Sequence, residues 1–355
     1  MKNVKAYAAQ AADKDLEPFQ IERHEPGPGD VEIEILYCGV CHSDIHTARN
    51  EWGGTKYPCV PGHEIVGRVT RIGNAVTQHK EGDTVGVGCF VDSCGHCENC
   101  EEDLEQYCLN GPTATYNSPS PLDKNVHTYG GYATHIVVKQ EFVLKISDKL
   151  PLHAVAPLLC AGITTYSPLR RWKVKKGDKV GVVGLGGLGH MAVKLASSMG
   201  AEVTMLSRSP EKEKDANELG AANFELTTSE ENMKRLSGSF NLIINTVSAQ
   251  HDYNPYLNLL KTDGVMVLLG IPPKPSEVQA AQLIMKRRSL VGSLVGGIKE
   301  TQEMLDYCAS HGIVSEVEMI NIDQINEAYE RTLNADVRYR FVIDMKSLKN
   351  QNQHN

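Results

Sequence analysis

The chain has 355 residues, of which 41 % are hydrophobic and 23 % are charged, and its formal net charge is −8. This length favours more than one domain, each with a sizeable core. The acidic balance argues against a nucleic-acid partner and against an anionic membrane surface, because both bind basic faces. The sequence contains no apolar stretch of membrane-spanning length and no signal-peptide core, so we expect a cytoplasmic protein whose ten cysteines are reduced.

The first part of the chain, residues 1–156, is predicted to be β-rich. Val31, Ile33, Ile35 and Tyr37 alternate with Glu32 and Glu34, which is typical of a half-buried strand. Further short strands are predicted at 64–72, 84–88 and 132–138, where apolar runs are separated by Gly, Pro and Asp.

From residue 157 the pattern changes to apolar strands that alternate with amphipathic helices. The strands are predicted at 179–183, 202–206, 240–247, 264–269 and 289–295. This alternation indicates an α/β fold with a doubly wound parallel sheet over 157–295. Helices at 300–310 and 323–333 and a strand at 340–345 are too few to form a domain alone. We therefore predict that 296–355 returns to 1–156 to complete a discontinuous domain.

Four cysteines lie close together in an acidic stretch with the spacing C-x2-C-x2-C-x7-C: Cys94, Cys97, Cys100 and Cys108. Thiols at this spacing can direct four sulfurs at one centre, as tetrahedral zinc requires, whereas cysteines three residues apart are poor disulfide partners. An iron–sulfur cluster is the main alternative, because ferredoxin runs begin with the same spacing. We favour zinc, since the fourth cysteine is distant and is followed by Leu109 rather than proline. Such a closed site would stabilise a loop, at about 89–112, and perform no chemistry.

A glycine-rich turn follows the predicted strand 179–183 and opens a helix. It consists of Gly184, Leu185, Gly186, Gly187, Leu188 and Gly189, a G-x-G-x-x-G pattern. In this context the first glycine permits a tight turn, the second lets the backbone approach a pyrophosphate, and the third allows close packing of helix on strand. The helix N-terminus supplies free N–H groups for the phosphates. The pattern therefore predicts dinucleotide binding.

The end of the next predicted strand carries no acidic residue. Folds that bind NAD place a carboxylate there for the ribose 2′-hydroxyl. Here the chain continues Ser-Arg-Ser-Pro-Glu-Lys from Ser207 to Lys212. Hydroxyl groups and cations suit a 2′-phosphate, so Ser207, Arg208, Ser209 and Lys212 are predicted to select NADP(H).

Several further motifs are dense in metal-ligand residues. They are Cys41-His42-Ser43-Asp44-Ile45-His46, Gly62-His63-Glu64 and Cys160-Ala161-Gly162, with G-S-L-V-G-G at 292–297 and D-V-R-Y-R-F-V at 336–342. With the cysteine loop and the glycine-rich turn, they make the whole chain resemble the zinc-dependent medium-chain alcohol dehydrogenases. The branch that it resembles is that of the cinnamyl-alcohol-dehydrogenase-like, broad aldehyde reductases. The resemblance implies a GroES-like catalytic domain and a Rossmann domain.

The resemblance also implies roles for individual residues. A catalytic zinc, the second zinc ion of the chain, is expected at Cys41, His63 and Cys160, with the fourth position open for water or substrate. Asp44 and Glu64 are expected to orient these ligands, and Glu64 could also bind the metal transiently. Ser43 and His46 match the proton relay of the family.

Coenzyme and substrate positions follow from the same resemblance. Contacts to NADP(H) beyond the turn and the 207–212 segment are expected at Thr164, Thr246, Val247, Gly270, Ser293, Leu294 and Val295. The substrate pocket is expected at Trp52, Cys89, Thr113 and Leu294. Thr113 stands where the plant lignin enzymes carry an aromatic residue, so we expect a range of aliphatic and aromatic aldehydes. Cys38, Cys59 and Cys308 are expected to be packing residues.

Two other functions are compatible with parts of this pattern. A polyol dehydrogenase of the same superfamily would be expected to prefer NAD and often to carry Glu in place of Cys160. A catalytically silent, zinc-stabilised binding protein would have lost a ligand or relay residue, and none is lost here. The expected assembly is a homodimer, although the sequence leaves a tetramer open.

Overall fold

In the computed structural model, the described residues are 1–123 and 125–350. They form two compact units: Met1–Cys160 with the chain from Gly296 onward, and Ala161–Val295. Among the described residues, no helix is both long and apolar enough to cross a bilayer. The predicted domain bounds, 1–156 with 296–355 and 157–295, place this division slightly earlier in the chain.

The larger unit is built mainly from strands. Its strands are Lys2–Ala9 (β1), Leu16–Arg23 (β2), Asp30–Gly39 (β3), Ile65–Ile72 (β4), Thr84–Val87 (β5), Phe90–Asp92 (β6), Thr113–Ala114 (β7), His135–Lys139 (β8), Leu144–Lys145 (β9), Val317–Asn321 (β16) and Arg340–Asp344 (β17). Its helices are His42–Ala48 (α1), Glu98–Glu101 (α2), Leu152–Val155 (α3), Ile298–His311 (α10), Ile325–Leu333 (α11) and Lys346–Lys349 (α12). Short 3₁₀ turns lie at Glu105–Tyr107, Gln140–Phe142, Ala156–Leu159 and Ile322–Gln324.

The main sheet of the larger unit runs in the order β16-β17-β3-β4-β5-β9, and β8 also pairs with β3. β17, from the end of the chain, lies antiparallel to β3, with Val342 opposite Gly39. The chain therefore returns to this unit after Val295, and its last strand extends the sheet that begins near residue 30.

β3 is more buried than its alternating pattern predicts. Glu32 is only 1 % exposed, in a stretch of β3 that pairs with both β4 and β8. Lys2 Nζ bonds one of its carboxylate oxygens, and Arg71 Nη1 lies 3.5 Å from the other. These two cations stabilise a carboxylate that would otherwise be costly to bury.

Helix α10 shows how local sequence sets an element of this unit. Its buried residues Thr301, Met304, Leu305 and Cys308 recur at helical spacing, so one face packs on the core. The helix ends at Gly312, whose φ of 66° is the left-handed conformation that glycine adopts most easily. Cys308 is fully buried in this stripe, in agreement with its expected role as a packing residue.

The smaller unit alternates strands and helices along the chain. Its strands are Lys179–Val183 (β10), Glu202–Ser207 (β11), Asn223–Leu226 (β12), Phe240–Asn245 (β13), Leu260–Leu268 (β14) and Ser289–Gly292 (β15). Its helices are Ala161–Arg171 (α4), Gly187–Ser198 (α5), Glu213–Glu218 (α6), Glu230–Arg235 (α7), Asn254–Asn258 (α8) and Ala280–Ile284 (α9), with a 3₁₀ turn at Pro210–Lys212.

The sheet of this unit confirms the doubly wound fold. Its order is β12-β11-β10-β13-β14-β15, and every pair is parallel. This is the Rossmann order, in which a ligand binds where the strand order reverses, at the carboxyl ends of β10 and β13. The predicted strand at 179–183 has the observed bounds. β12 was not predicted, because this strand at the edge of the sheet has only four residues and is only partly buried, so its alternation is too short to stand out.

Candidate functional site

The four clustered cysteines converge in the loop between β6 and β7. The sulfurs of Cys94, Cys97, Cys100 and Cys108 all lie within 4.8 Å of one another, and those of Cys94 and Cys100 are 3.9 Å apart. Tetrahedral zinc with Zn–S bonds of about 2.3 Å holds its sulfurs about 3.8 Å apart. The set therefore fits zinc, and all ten cysteines of the chain are free of disulfides.

Backbone N–H groups of this loop point at the sulfurs. The amide of Leu109 lies 3.4 Å from the Cys97 sulfur, and the amide of Cys94 lies 3.5 Å from that of Cys108. A hydrogen bond from the backbone of His96 is the main cause that lowers the pKa of Cys94 to about 6. Burial raises the pKa of Cys100 to about 11, so a metal must displace a proton from this ligand.

A second cluster of ligand atoms lies in the larger unit. Atoms of Cys41, His63, Glu64 and Cys160 lie within 4.8 Å of one another, and all four residues are buried. The sulfurs of Cys41 and Cys160 are 4.0 Å apart, close to the spacing that a tetrahedral metal requires. The structure thus brings together the three residues predicted as catalytic zinc ligands. Their donor set of two sulfurs and one imidazole is of the type that catalytic zinc uses.

Asp44 accepts hydrogen bonds from two of these residues, Cys41 and His63. Cys41 is the N-cap of α1, and its backbone N–H donates to Asp44 Oδ2 over 2.9 Å. His63 Nδ1 lies 3.0 Å from Asp44 Oδ1, which leaves Nε2 available to a metal. Burial alone would lower the pKa of His63. The negative charge of Asp44 outweighs this effect together with the neighbouring thiols, so the pKa is raised well above its usual value. A metal at this site therefore competes with a proton.

Glu64 forms a buried ion pair with Arg340 of β17. One carboxylate oxygen of Glu64 bonds the guanidinium, whereas Oε2 is buried without a hydrogen-bond partner in the described structure. Burial is the main cause that raises the pKa of Glu64 to about 7. A Cβ at Gly39 would lie 1.9 Å from Oε2, so only glycine leaves room for this carboxylate. The unpartnered oxygen within the ligand cluster fits the expected role of Glu64 beside a metal.

The two predicted relay residues lie on one face of α1. Ser43 Oγ is 3.7 Å from the Cys41 sulfur. His46 Nδ1 lies 2.5 Å from Glu51 Oε2, and its ring lies 4.9 Å from the ring of Trp52. Ser43 and His46 are three residues apart on the helix, which places them on neighbouring turns of the same face.

The predicted pocket residues are only partly brought together. Trp52 contacts the His46 ring, and Cys89 is hydrogen-bonded to Cys160, which lowers the pKa of the Cys89 thiol. Thr113 lies in the β6–β7 hairpin, opposite Asp92. Leu294 belongs to the smaller unit and is 47 % exposed. The grouping of these four residues into one pocket stays a prediction.

The glycine-rich turn of the smaller unit has the steric properties that dinucleotide binding requires. Gly184 has φ 90°, a conformation in which side chains are strained. A Cβ on Gly186 would meet nothing within 4 Å, so its backbone face is open to a ligand. A Cβ on Gly189 would lie 1.9 Å from the Gly184 oxygen, so α5 can pack this close to the turn only with glycine there. Gly186 is also the N-cap of α5.

The segment that follows β11 brings Lys212 beside the glycine-rich turn. Lys212 Nζ donates to the Leu185 carbonyl over 3.0 Å. Ser207 Oγ accepts from the Ser209 amide over 3.1 Å, which folds the segment into a tight turn. Arg208 between them is exposed, and the described structure gives its guanidinium no ion pair.

The other predicted coenzyme contacts divide among several segments. Thr246 and Val247 pack on Gly184, and Gly270 packs on Val247, since a Cβ on either glycine would overlap Val247. Thr164 is buried in α4. Ser293 and Leu294 follow β15, and Val295 has φ 37°. Such a φ is rare for a β-branched residue and often marks a functional position.

Comparison with known proteins identifies the family. Residues 27–148 match the alcohol dehydrogenase GroES-like domain, and residues 187–310 match the zinc-binding dehydrogenase model. The aldehyde reductase YahK of Escherichia coli is 56 % identical over 97 % of this chain and 99 % of its own length. The NADP-dependent alcohol dehydrogenase C 1 of Mycolicibacterium smegmatis is also 56 % identical, over 98 % and 100 %. The chain belongs to the zinc-binding alcohol dehydrogenases.

A solved structure supports the same conclusion for the fold. The cinnamyl alcohol dehydrogenase of Helicobacter pylori, complexed with NADP(H), superimposes with a TM-score of 0.91 at 43 % identity, covering 97 % of this chain and 98 % of that one. The predicted family and the GroES-like plus Rossmann fold are therefore confirmed. The roles of individual site residues in this alcohol dehydrogenase stay predictions.

Sequence reasoning missed two residues that the structure places at the site. Glu51 bonds His46, but it lies in an exposed loop and no spacing rule marks it as a partner. Arg340 was part of a quoted motif without an assigned role. Its contact with Glu64 joins positions 276 residues apart. An Arg within an apolar strand was the available signal, since buried cations are almost always paired.

The two clusters predict different consequences when a thiol is removed. Cys160→Ala should abolish turnover and lower the zinc content to one ion per chain, while Tm stays near that of the wild type, because only the open site does chemistry. Cys97→Ser should lower Tm strongly, because structural zinc contributes directly to folding. Metal analysis and thermal unfolding of the purified variants measure both effects.

Cys59→Ala is the matched control, because burial raises the pKa of this thiol to about 12 and it belongs to neither cluster. The control should keep two zinc ions. One zinc ion per chain in the wild type, or an iron–sulfur absorption band, would contradict the assignment.

Proposed function

We propose that this alcohol dehydrogenase catalyses reversible hydride transfer between NADP(H) and primary alcohols or aldehydes of a broad aliphatic and aromatic range. The observation that carries the proposal is the buried set Cys41, His63 and Cys160, with the unpartnered oxygen of Glu64 beside it. The names of the relatives support it, since they include an aldehyde reductase and an NADP-dependent alcohol dehydrogenase.

The chain's own residues account for binding and proton movement in this reaction. Bound zinc supplies a Lewis acid that polarises the carbonyl, and the bound coenzyme supplies the hydride. Cys41, His63 and Cys160 would hold the metal, and Asp44 keeps the His63 ring in the orientation that exposes Nε2. The oxygen of the reduced product then needs a proton, and its proposed route runs through Ser43 Oγ, which lies 3.7 Å from the Cys41 sulfur.

His46 and Glu51 form the outer end of this proton path. Glu51 occupies His46 Nδ1, so Nε2 is the nitrogen that remains to exchange a proton with the path. The carboxylate also fixes the orientation of the imidazole ring through this contact. Glu51 therefore extends the predicted relay by one residue.

The choice of NADP(H) follows from the charges at the end of β11. A 2′-phosphate brings up to two negative charges, which a carboxylate at this position would repel. Instead, Ser207 and Ser209 offer hydroxyl groups and Arg208 offers a planar guanidinium. Lys212 lies at the glycine-rich turn, because its Nζ donates to the Leu185 carbonyl.

Arg208→Ala should lower kcat/KM for NADPH by about ten- to a hundredfold, because hydrogen bonds to a charged group contribute about 1.5–3 kcal/mol. NADH lacks the phosphate and should be little affected. Ser207→Asp should reverse the preference by repelling the phosphate and binding the ribose hydroxyls. The measurement is kcat/KM for both coenzymes with one aldehyde.

Arg235→Ala is the matched control, since this exposed arginine of α7 pairs with Glu225. It should leave the preference for NADPH unchanged. Equal use of both coenzymes by the wild type would refute the proposed selectivity. A panel of aliphatic and aromatic aldehydes in the same assay tests the substrate range.

His46→Gln should slow turnover and change its pH dependence while both zinc ions stay bound. General acid–base groups contribute about 10²–10⁴-fold, and less where water bypasses them. Glu51→Gln should give a smaller loss of the same kind, because a neutral amide is a weaker hydrogen-bond partner than a carboxylate for His46 Nδ1. Steady-state rates across pH, with zinc analysis, provide the measurement.

His24→Gln removes a half-buried imidazole elsewhere in the larger unit and serves as the control. If His46→Gln loses zinc, the histidine is a ligand and the relay assignment is wrong.

We also propose a homodimer that forms through the edge of the parallel sheet. β15 lies at that edge, and the preceding residues Ile284 and Met285 are 75 % and 80 % exposed. An open strand edge offers unpaired backbone groups, and adjacent exposed apolar side chains mark interaction surfaces. Two copies that use the same surface form a closed two-fold dimer.

The double substitution of Ile284 and Met285 by Lys should therefore convert a dimer to a monomer in sedimentation experiments. Leu122→Lys, at an apolar residue that is 65 % exposed in the larger unit, is the control and should stay dimeric. A wild type that sediments as a monomer would disprove the dimer.

We further propose a cytoplasmic location. The proposal is supported by the ten cysteines, all of which are free of disulfides.

A further inference from the structure

Asn245, the last residue of β13, makes two side-chain hydrogen bonds beneath the loop that follows it. The residue is 1 % exposed. Its Oδ1 accepts from the Val247 backbone N–H over 3.1 Å, and its Nδ2 lies 2.8 Å from His251 Nε2. The side chain therefore bridges the start of the loop and its far end.

These contacts fix the protonation of His251 by elimination. The Val247 N–H can only donate, so the amide oxygen of Asn245 must face it and the NH₂ group must face His251. His251 Nε2 must then be an unprotonated acceptor. His251 Nδ1 lies 2.7 Å from the Ala249 carbonyl, which can only accept, so Nδ1 carries the proton. The network requires neutral His251 in the Nδ1–H tautomer.

The bridged loop packs directly on the glycine-rich turn. Thr246 Oγ1 donates to the Val183 carbonyl over 2.8 Å and lies 3.1 Å from the Gly184 carbonyl. A Cβ on Gly184 would lie 2.7 Å from Val247 Cγ2, and one on Gly270 would lie 2.5 Å from the Val247 oxygen. Val247 is thus held between two glycines, and a shift of its backbone must disturb the turn.

We propose that Asn245 and His251 are a positioning pair for the coenzyme site, and that the pair works only while His251 is neutral. The proposal rests on the proposed function of the turn in binding NADP(H). Protonation would place an N–H donor on His251 Nε2 against the NH₂ group of Asn245. Rotation of the amide would relieve this clash but would turn the NH₂ group towards the Val247 N–H. In either arrangement one hydrogen bond of the loop is lost, so acid weakens coenzyme binding.

Two tyrosine rings and one neighbouring carboxylate surround His251. The rings of Tyr253 and Tyr256 lie edge-on, at centroid distances of 4.9 Å and 6.0 Å. The neighbouring Asp252 carboxylate accepts from the backbone and side chain of Asn254. Among residues 1–123 and 125–350, no carboxylate bonds the His251 ring.

The first test reads the tautomer without coenzyme. Nitrogen NMR of histidine-labelled protein at about pH 8 should show His251 neutral with the proton on Nδ1. Hydrogen exchange of the Val247 amide should be slow at this pH and should accelerate as His251 is protonated. A proton on Nε2, or exchange that is independent of the state of His251, overturns the pair.

The second test measures the dissociation constants of NADPH and NADH at about pH 8 and about pH 5.5. NADH is included because a phosphate monoester itself titrates near about pH 6. The wild type should lose about three- to tenfold of its affinity for both coenzymes on acidification, which is the size of one hydrogen bond. His251→Gln keeps an acceptor that does not titrate and should lose much less. His251→Leu should bind weakly at both pH values.

The outcomes separate this inference from the proposed function. His311→Gln, which removes an exposed imidazole at the end of α10, should keep the pH dependence of the wild type. Equal pH dependence in the wild type and His251→Gln overturns the pair alone. A wild type that binds neither coenzyme overturns the proposed function and, with it, the coenzyme role of the pair.

Discussion

One buried carboxylate, that of Asp44, organises the predicted catalytic metal site of this alcohol dehydrogenase. It is fully buried and accepts from four donors: the backbone amides of Cys41 and Gly62, His63 Nδ1 and the Tyr132 hydroxyl. A buried charge without partners would cost several kcal/mol, so the carboxylate is tolerated only with these donors in place. Three separate stretches of chain must therefore come together around it, and two of them carry predicted zinc ligands. The same contacts that satisfy Asp44 set the position of Cys41 and the ring orientation of His63.

A second buried charge explains why the end of the chain is needed at this site. Glu64 follows the ligand His63, and its counter-ion is Arg340 in β17. Leaving either charge without the other would cost about 3–5 kcal/mol, so the pairing of β17 with β3 is coupled to the integrity of the ligand cluster. Glu64 Oε2 remains without a partner, and Gly39 keeps open the space that this oxygen occupies. The fold thus holds a carboxylate beside the predicted metal ligands while one of its oxygens accepts no hydrogen bond from the described residues.

The sequence predicted what local patterns encode and missed what depends on contacts through space. The parallel strands, the glycine-rich turn and both ligand sets follow from periodicity, short spacings and family motifs, and the structure brings each ligand set together. The β1–β2 hairpin and β12 were missed. β12 has only four residues and is half-exposed at a sheet edge, so its alternating pattern is too short to identify a strand. Glu51, Arg340 and the bond between Asn245 and His251 were missed because the bonded residues share no periodic spacing. The burial of Glu32 depends on Lys2 and Arg71, which lie in other strands.

The four-cysteine loop also contacts the start of α10. Glu105, within this loop, accepts through Oε2 from the backbone N–H of Ile298 over 3.0 Å, and Asp103 pairs with Lys299 at 2.7 Å. Both contacts fall on the first turn of α10, where free N–H groups and the helix dipole favour carboxylates. A Cβ on Gly297 would lie 1.9 Å from the backbone oxygen of Asp103. The loop can therefore pack against the start of the helix only because residue 297 is glycine. Gly297 comes directly after the point at which the chain re-enters the larger unit. A metal bound by the four cysteines would order residues 94–108 and would thereby also fix where α10 begins. In that case a site without chemistry of its own would anchor the segment that directly follows Val295.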